Sequence, residues 1–304
     1  MACVEPESRV DAPVEHCYRH PTEETRIHCT RCGRPICTDC MIPAPVGYQC
    51  PDCVGEARRA FGGAPARQAR QLAALSGTRL ILYALAAVYV VEIILSKGDA
   101  LTISFAAPTP RFAKTLFDMG AAVPFAIANG QWWRLITAMF LHLGLLHLAL
   151  NCYALWIFGQ FVEVSFKRWG LILLFFVTGF LGSVTSYLFG VGGVGASGAI
   201  SGLFGAFIVY NFRRRHTLLA QGNLRLAVTL IILNALLALG VSNIDWRAHV
   251  GGLIAGVLAG AFLEGFGPRA SRPVVRVGGI VGLVVLGVVL TAARTAAIRH
   301  GASF

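Results

Sequence analysis

Charge is scarce in this sequence. Of 304 residues, 13% are Asp, Glu, Lys or Arg and 56% are apolar, with a mean hydropathy of +0.65. A soluble domain carries about a quarter charged residues, so an ordinary water-soluble globule is excluded. Cysteine is almost missing after residue 56, since eight of the nine lie before it. The first long apolar block starts only near residue 78, too far in for a cleaved signal peptide. A basic patch is lacking as well. The net charge is +11, but much of the excess lies in short loops flanking apolar blocks. Residues 1–56 hold more Asp and Glu than Lys and Arg. No nucleic-acid partner is expected from that distribution.

What is present is oil in blocks. Seven stretches are expected to cross the membrane, at about 78–96, 143–163, 170–190, 197–212, 224–241, 247–263 and 274–293. Most approach or reach the roughly 20 residues that a hydrocarbon core about 30 Å thick requires. Basic residues mark alternate loops. Arg58, Arg59, Arg67, Arg70 and Arg79 precede the first stretch, and Lys167 and Arg168 separate the second from the third. Arg213, Arg214 and Arg215 follow the fourth, and Arg269, Arg272 and Arg276 follow the sixth. The positive-inside rule then places the N-terminus in the cytoplasm and the C-terminus outside. The expectation is a multi-pass protein of the plasma membrane, of bacterial origin. The loop "TLFDMGAAVPFAIANGQWW" mixes Phe, Pro and Trp, which suits a segment lying in the outer interface.

The head, residues 1–56, carries Cys17-x2-His20, Cys29-x2-Cys32, Cys37-x2-Cys40 and Cys50-x2-Cys53. Four ligand pairs at finger spacing supply eight ligands, enough for two tetrahedral zinc ions. Disulfides compete for the same residues, but a cytoplasmic end keeps thiols reduced. An interleaved arrangement would group Cys17, His20, Cys37 and Cys40 at one site and Cys29, Cys32, Cys50 and Cys53 at the other. Sequential pairing is also open, with His16 and His28 as spare ligands. Cys3 is read as a free thiol. The stretch resembles a B-box-type zinc finger, which implies a structural module that binds a cytoplasmic protein partner. A basic linker at 57–77 follows; with its Ala and Gly it suits an anionic membrane surface.

Polar side chains inside apolar stretches are costly and mark function. Here they are His142, His147 and Asn151 in "LHLGLLHLALN", Ser197 and Ser201 in "GVGASGAISG", and His249 in "RAHVGGLIAG". Ser197 precedes Arg213 by sixteen residues, His147 precedes Glu163 by sixteen, and His249 precedes Glu264 by fifteen. Each therefore sits roughly 22–24 Å above the inner boundary at 1.5 Å per helical residue. Three residues from three helices share one level. A helix opening at Ser197 is too short to cross, so the glycine-rich loop before it must dip into the membrane. Irregular backbone is tolerated there when it is buried in protein or lines a watery cavity.

Spacing adds orientation. His249, Gly252, Gly256 and Gly260 form one helix face, and Ser197, Ser201 and Gly205, flanked by Gly198 and Gly202, form another. Small faces let helices approach closely, which would bring His249 within reach of the Ser197 hydroxyl. His147 and Asn151, four apart, could donate to a developing oxyanion beside the Ser197 backbone N–H. Ser201 is read as packing, His142 as a polar loop contact near the surface, and Cys152 as a small buried residue. Asp245 is a weaker candidate to orient His249. HExxH, an intramembrane Asp pair and inverted repeats are all missing. A zincin, an aspartyl protease and a transporter are accordingly unsupported.

The stretch from about 130 to 265 resembles the rhomboid family of intramembrane serine proteases. The matching pieces are "WWR" in the first loop, "HLALN" on the second stretch, "GASG" opening the fourth and "AHVGG" opening the sixth. The resemblance implies an all-α membrane protein with a six-helix core over 78–268. It also implies a seventh helix with a tail over 269–304. Ser197 is implied as nucleophile and His249 as base and acid, with His147 and Asn151 in the oxyanion hole. Trp133 and Arg134 would structure the membrane-embedded loop, and Gly159 and Glu163 would be structural. No catalytic cofactor is implied, and the substrates would be transmembrane proteins in the lipid bilayer. One departure is Ser201, where many members place Tyr or Phe against the catalytic histidine. The competing reading is a rhomboid-like scaffold that recruits partners through its finger.

Overall fold

A computed structural model describes residues 15–44, 46–62, 76–103, 107–240, 245–265 and 273–301, with backbone alone for 58–62 and 233–240. Cys3, most of the linker, Arg269 and Arg272 lie outside the described residues. The chain divides into two compact units, Met1–Ala74 and Leu75–Phe304.

In the first unit, β1 (Glu15–His16) pairs antiparallel with β2 (Glu24–Thr25), and β3 (Ile42–Pro43) with β4 (Tyr48–Gln49). Helix α1 (Pro51–Gly62) follows and presents Cys53 in its first turn. The strands are two residues long, too short to bury a hydrophobic face. The buried cluster consists of Ile36 and six cysteines, with Tyr18 and Met41 packed beside it. This is a small domain organised around cysteine.

The second unit is helical. Helix α2 (Gly77–Leu95) opens it, followed by short α3 (Pro110–Met119), α4 (Pro124–Ala128) and α5 (Arg134–Thr137). The 44 residues of α6 (Leu145–Leu188) are two helices joined at Lys167, whose φ of 65° breaks the run. His147 near its start and Ser186 near its end line one cavity, so the chain reverses at that break. Then come α7 (Ser197–Phe212), α8 (Leu218–Gly240), α9 (Trp246–Glu264) and α10 (Pro273–Arg299). Counting α6 twice, these are the seven expected helices. Helices α2, α6, α9 and α10 are long and apolar enough to cross a membrane, and α6 has length for two crossings. The protein is an integral multi-pass membrane protein.

Glycine sets how closely the helices meet. A Cβ at Gly252 would overlap the Gly198 carbonyl, and one at Gly256 would overlap the Gly202 carbonyl. A Cβ at Gly260 would lie 2.7 Å from Ala206 Cα. Helices α7 and α9 therefore touch backbone to backbone, the arrangement small residues permit in lipid. At their far ends Arg214 Nη1 lies 2.7 Å from Glu264 Oε2. Arg213 and Glu264 thus sit together at one end of the parallel pair.

Carboxylates hold the other joints. Glu163 accepts from Ser76 Oγ and Gly77 N at 2.7 Å each, from Thr78 Oγ1 at 2.8 Å and from Thr78 N at 3.1 Å. It thereby caps the free N–H groups that open α2. Gly159, one turn earlier, leaves room for the Thr78 side chain, which a Cβ would approach to 2.7 Å. The structural pairing of Gly159 with Glu163 is a dock for the first helix.

Candidate active site and metal centres

The loop before α7 shows why it needs glycine. Gly195 adopts φ 127°, which disfavours any side chain. A Cβ there would also lie 2.8 Å from His147 Nε2 and 3.8 Å from Ser197 Oγ. Gly195 is the gap through which the histidine and the serine face a common space. Three residues on, Gly198 lets the Ala248 carbonyl of α9 come within 3.2 Å of where its Cβ would be. The loop is pinned by Gly193 N to Ala122 O at 3.0 Å and by Gly195 N to Ala138 O at 2.9 Å. Ser197 then starts the helix, so its N–H has no acceptor within the helix.

The space is a cavity of about 430 Å³. Ser197, His249, His147, Asn151, Ser201 and Asp245 all line it, reaching it from α6, α7, α9 and the residue before α9. Among the described residues no hydrogen bond joins Ser197 to His249; such bonds are often loose before substrate tightens them. The Leu143 N–H donates to His147 Nδ1 at 3.2 Å. A neutral imidazole then carries its proton on Nε2, the atom turned toward Gly195. Asn151 uses one amide hydrogen on the His147 carbonyl at 2.9 Å and has a second to give.

Several residues sit otherwise than the sequence suggests. Gly205 of the expected α7 face meets α9, as do the flanking Gly198 and Gly202 and also Ala206, whereas Ser197 and Ser201 line the cavity. His142 makes its polar contacts in the loop before α6, with Glu92 Oε1 and the Phe140 carbonyl, and is fully buried there. Asp245 caps α9, with Oδ1 accepting from Arg247 N at 3.1 Å and Ala248 N at 3.4 Å, and Oδ2 accepting from Ser186 Oγ. These contacts give Asp245 a capping role, and among the described residues no hydrogen bond joins it to His249. Arg134 is buried and donates to Gln131 Oε1 at 2.6 Å, Phe117 O at 2.7 Å and Ala121 O at 3.0 Å. It ties the end of α3 to the turn before α5. Trp133 is 57% exposed, and its carbonyl accepts from Ile136 N, Thr137 N and Thr137 Oγ1.

Glu92 is a residue that sequence reasoning misses. It is fully buried in α2 and accepts the His142 N–H at 3.1 Å. That contact steadies the turn whose next N–H fixes the tautomer of His147. A lone glutamate within a membrane helix is the available signal.

In the first unit the interleaved grouping holds. Cys17, His20, Cys37 and Cys40 gather their ligand atoms within 4.8 Å of one another, and so do Cys29, Cys32, Cys50 and Cys53. His20 turns Nδ1 inward, 3.2 Å from Cys37 Sγ. No disulfide links the described cysteines. Burial works to raise the Cys17 and Cys29 thiols, but surrounding backbone amides outweigh it and hold both at about 6. Burial and the neighbouring thiols push Cys40 and Cys53 up to about 12. Four sulfurs and nitrogens this close suit a cation that replaces their protons. Both groups could hold a metal ion.

The model of the family described as Rhomboid domain matches residues 129–265, a stretch that contains every cavity residue named above. The chain is 37% identical over 180 residues to "Rhomboid protease GluP" of Bacillus subtilis (strain 168), covering 57% of this chain and 35% of that protein. It is 35% identical over 135 residues to "Putative rhomboid protease YdcA" of the same organism, covering 43% of this chain and 67% of that protein. It is 29% identical over 185 residues to "Rhomboid protease AarA" of Providencia stuartii, covering 51% of this chain and 64% of that one. The aligned region thus spans about a third of GluP and about two thirds of YdcA and AarA.

Proposed function

Because this chain belongs to the rhomboid family, we propose that it is an intramembrane serine endopeptidase that cleaves transmembrane or juxtamembrane segments of other membrane proteins. The observation that carries the reading is convergence: Ser197, His249, His147 and Asn151 face one cavity from three helices. His249 takes the Ser197 proton as Oγ bonds to the scissile carbonyl carbon. The carbonyl oxygen becomes an oxyanion, met by the His147 Nε2–H, the Asn151 amide and the Ser197 N–H. Collapse breaks the peptide C–N bond, and His249 returns the proton to the leaving nitrogen. Water then attacks the acyl ester as His249 takes its proton; collapse breaks the C–Oγ bond, and His249 returns that proton to Ser197 Oγ as the carboxylic acid leaves. Trp133 and Arg134 shape the loop above the site.

The head takes two structural zinc ions, Cys17, His20, Cys37 and Cys40 holding one and Cys29, Cys32, Cys50 and Cys53 the other. All four positions of each site are filled by protein, so it closes without room for a substrate water. We assign it the role of a cytoplasmic binding module, with the N-terminus inside and the C-terminus outside on the loop charges. Ser201 in the cavity favours a second reading, a scaffold with a weak or idle site. The test is cleavage of a reporter transmembrane segment in proteoliposomes. Cutting by the wild type that Ser197→Ala abolishes supports the protease. Equal products from both would remove Ser197 from the chemistry.

A further inference from the structure

We propose that the seventh helix, α10, positions the active site by holding the loop that braces Gly193 and Gly195; this rests on the reading of that site as catalytic. The family match ends at residue 265, so α10 lies outside it. A buried cluster nevertheless joins Ala122, Ile127, Leu135 and Ala138 of the loop to Val184 and Tyr187 of α6, and the half-buried Leu290 and Ile298 of α10 pack against it.

Two polar contacts fix that cluster. Tyr187 is fully buried, and its hydroxyl lies 2.9 Å from Thr295 Oγ1, itself 5% exposed. Arg299 Nε donates at 3.1 Å to the carbonyl of Ala128, the last residue of α4. A helix serving only as an anchor needs neither group. In hydrocarbon there is no water to replace a lost partner, so the buried Tyr187–Thr295 pair selects one seat for α10, and Arg299 adds a contact at its end.

From the cluster the connection to the site is all backbone. Ala122 and Gly193 exchange hydrogen bonds at 3.1 and 3.0 Å, and Ala138 O receives Gly195 N at 2.9 Å. A Cβ at Gly192 would overlap the Ala122 carbonyl, so the loop and the glycine strand cannot slide past each other. Gly195 is two residues before Ser197, whose N–H is assigned to the oxyanion. Loosening α10 therefore loosens residues 122–138, and with them the direction in which Ser197 N–H points. Tyr187, Thr295 and Arg299 are positioning residues.

The experiment uses the full-length protein in nanodiscs, with hydrogen exchange at the Gly193 and Gly195 amides and the rate of fluorophosphonate labelling read side by side. Thr295→Val and Tyr187→Phe each should raise exchange at both amides about threefold, the scale of one interhelical hydrogen bond in a membrane. Labelling should slow by a similar factor, and the double variant should go no further than the single ones. Val289→Ala, on the exposed side of α10, should change neither. Unchanged exchange at both amides in Thr295→Val of wild-type melting temperature would overturn the proposal. Wild-type protein that fails to label would instead sink the catalytic reading, while the exchange measurements would still report whether α10 holds the loop.

Discussion

The head and the membrane unit fix their backbones by opposite means. The head has two-residue strands and a buried cluster of Ile36 and cysteines. If its two ligand groups hold ions as proposed, losing them would leave it without an apolar core to fall back on, as in small metal domains whose binding free energy is their folding free energy. The membrane unit has no metal-binding group of three or more ligands among its described residues. It relies on glycine: Gly252 and Gly256 admit the carbonyls of Gly198 and Gly202 with no space for a methyl group. Lipid tails are as apolar as leucine, so burial alone gives helices little reason to associate. Close packing and a few capped or paired polar groups must supply it. On the proposed reading, one region is held by bonds to an ion and should break when the ion leaves. The other is held by shape and breaks when a single atom is added.

The largest effect should come from chelation. Structural zinc contributes roughly 10–16 kcal/mol in finger domains, so stripping the metal from the full chain should unfold residues 15–62. Helices α2 to α10 should keep their hydrogen-exchange protection. If residues 27–40 stayed protected, the head would have a core of its own and the contrast would fall. Next, Asn151→Ala should lower turnover by roughly 10²–10³ with the fold intact, about 3–4 kcal/mol of transition-state stabilisation. A fully active Asn151→Ala would remove it from the oxyanion hole.

Gly256→Leu should destabilise the membrane unit by about 1–3 kcal/mol or more through overpacking, read as a lower melting temperature. A variant as stable as wild type would mean that α7 and α9 have slack that the contacts deny. The smallest effect belongs to Glu163→Gln. Losing charge from a group that accepts four hydrogen bonds should cost about 1–2 kcal/mol, seen as early fraying of α2 at residues 77–80. No change in exchange there would leave Glu163 without its capping role.

Much of this was legible because membrane sequences are strongly patterned. The Cys-x2-Cys and Cys-x2-His pairs named eight candidate ligands, and the structure groups them in the interleaved way. The bounds 197–212 for α7 follow from a glycine-rich loop on one side and three arginines on the other. The glycine face of α9 is written at a spacing of four. What was not legible depends on partners far along the chain. Glu163 caps residues 76–78, 85 or more positions earlier, and no local pattern announces that. The rotation of α7 that turns Ser201 into the cavity goes with the carbonyls of Ala248 and Leu253 meeting Gly198 and Gly205, and those of Gly198 and Gly202 meeting Gly252 and Gly256. Glu92, from another helix, accepts the His142 N–H fifty positions along the chain.

The central claim is that Ser197 is an activated nucleophile served by His249. The most direct measurement is fluorophosphonate labelling of the detergent-purified, zinc-replete protein beside Ser197→Ala and His249→Ala. The account predicts a labelled serine in the wild type and none in either variant. A well-folded wild type that does not label, or a Ser197→Ala protein that does, would contradict it.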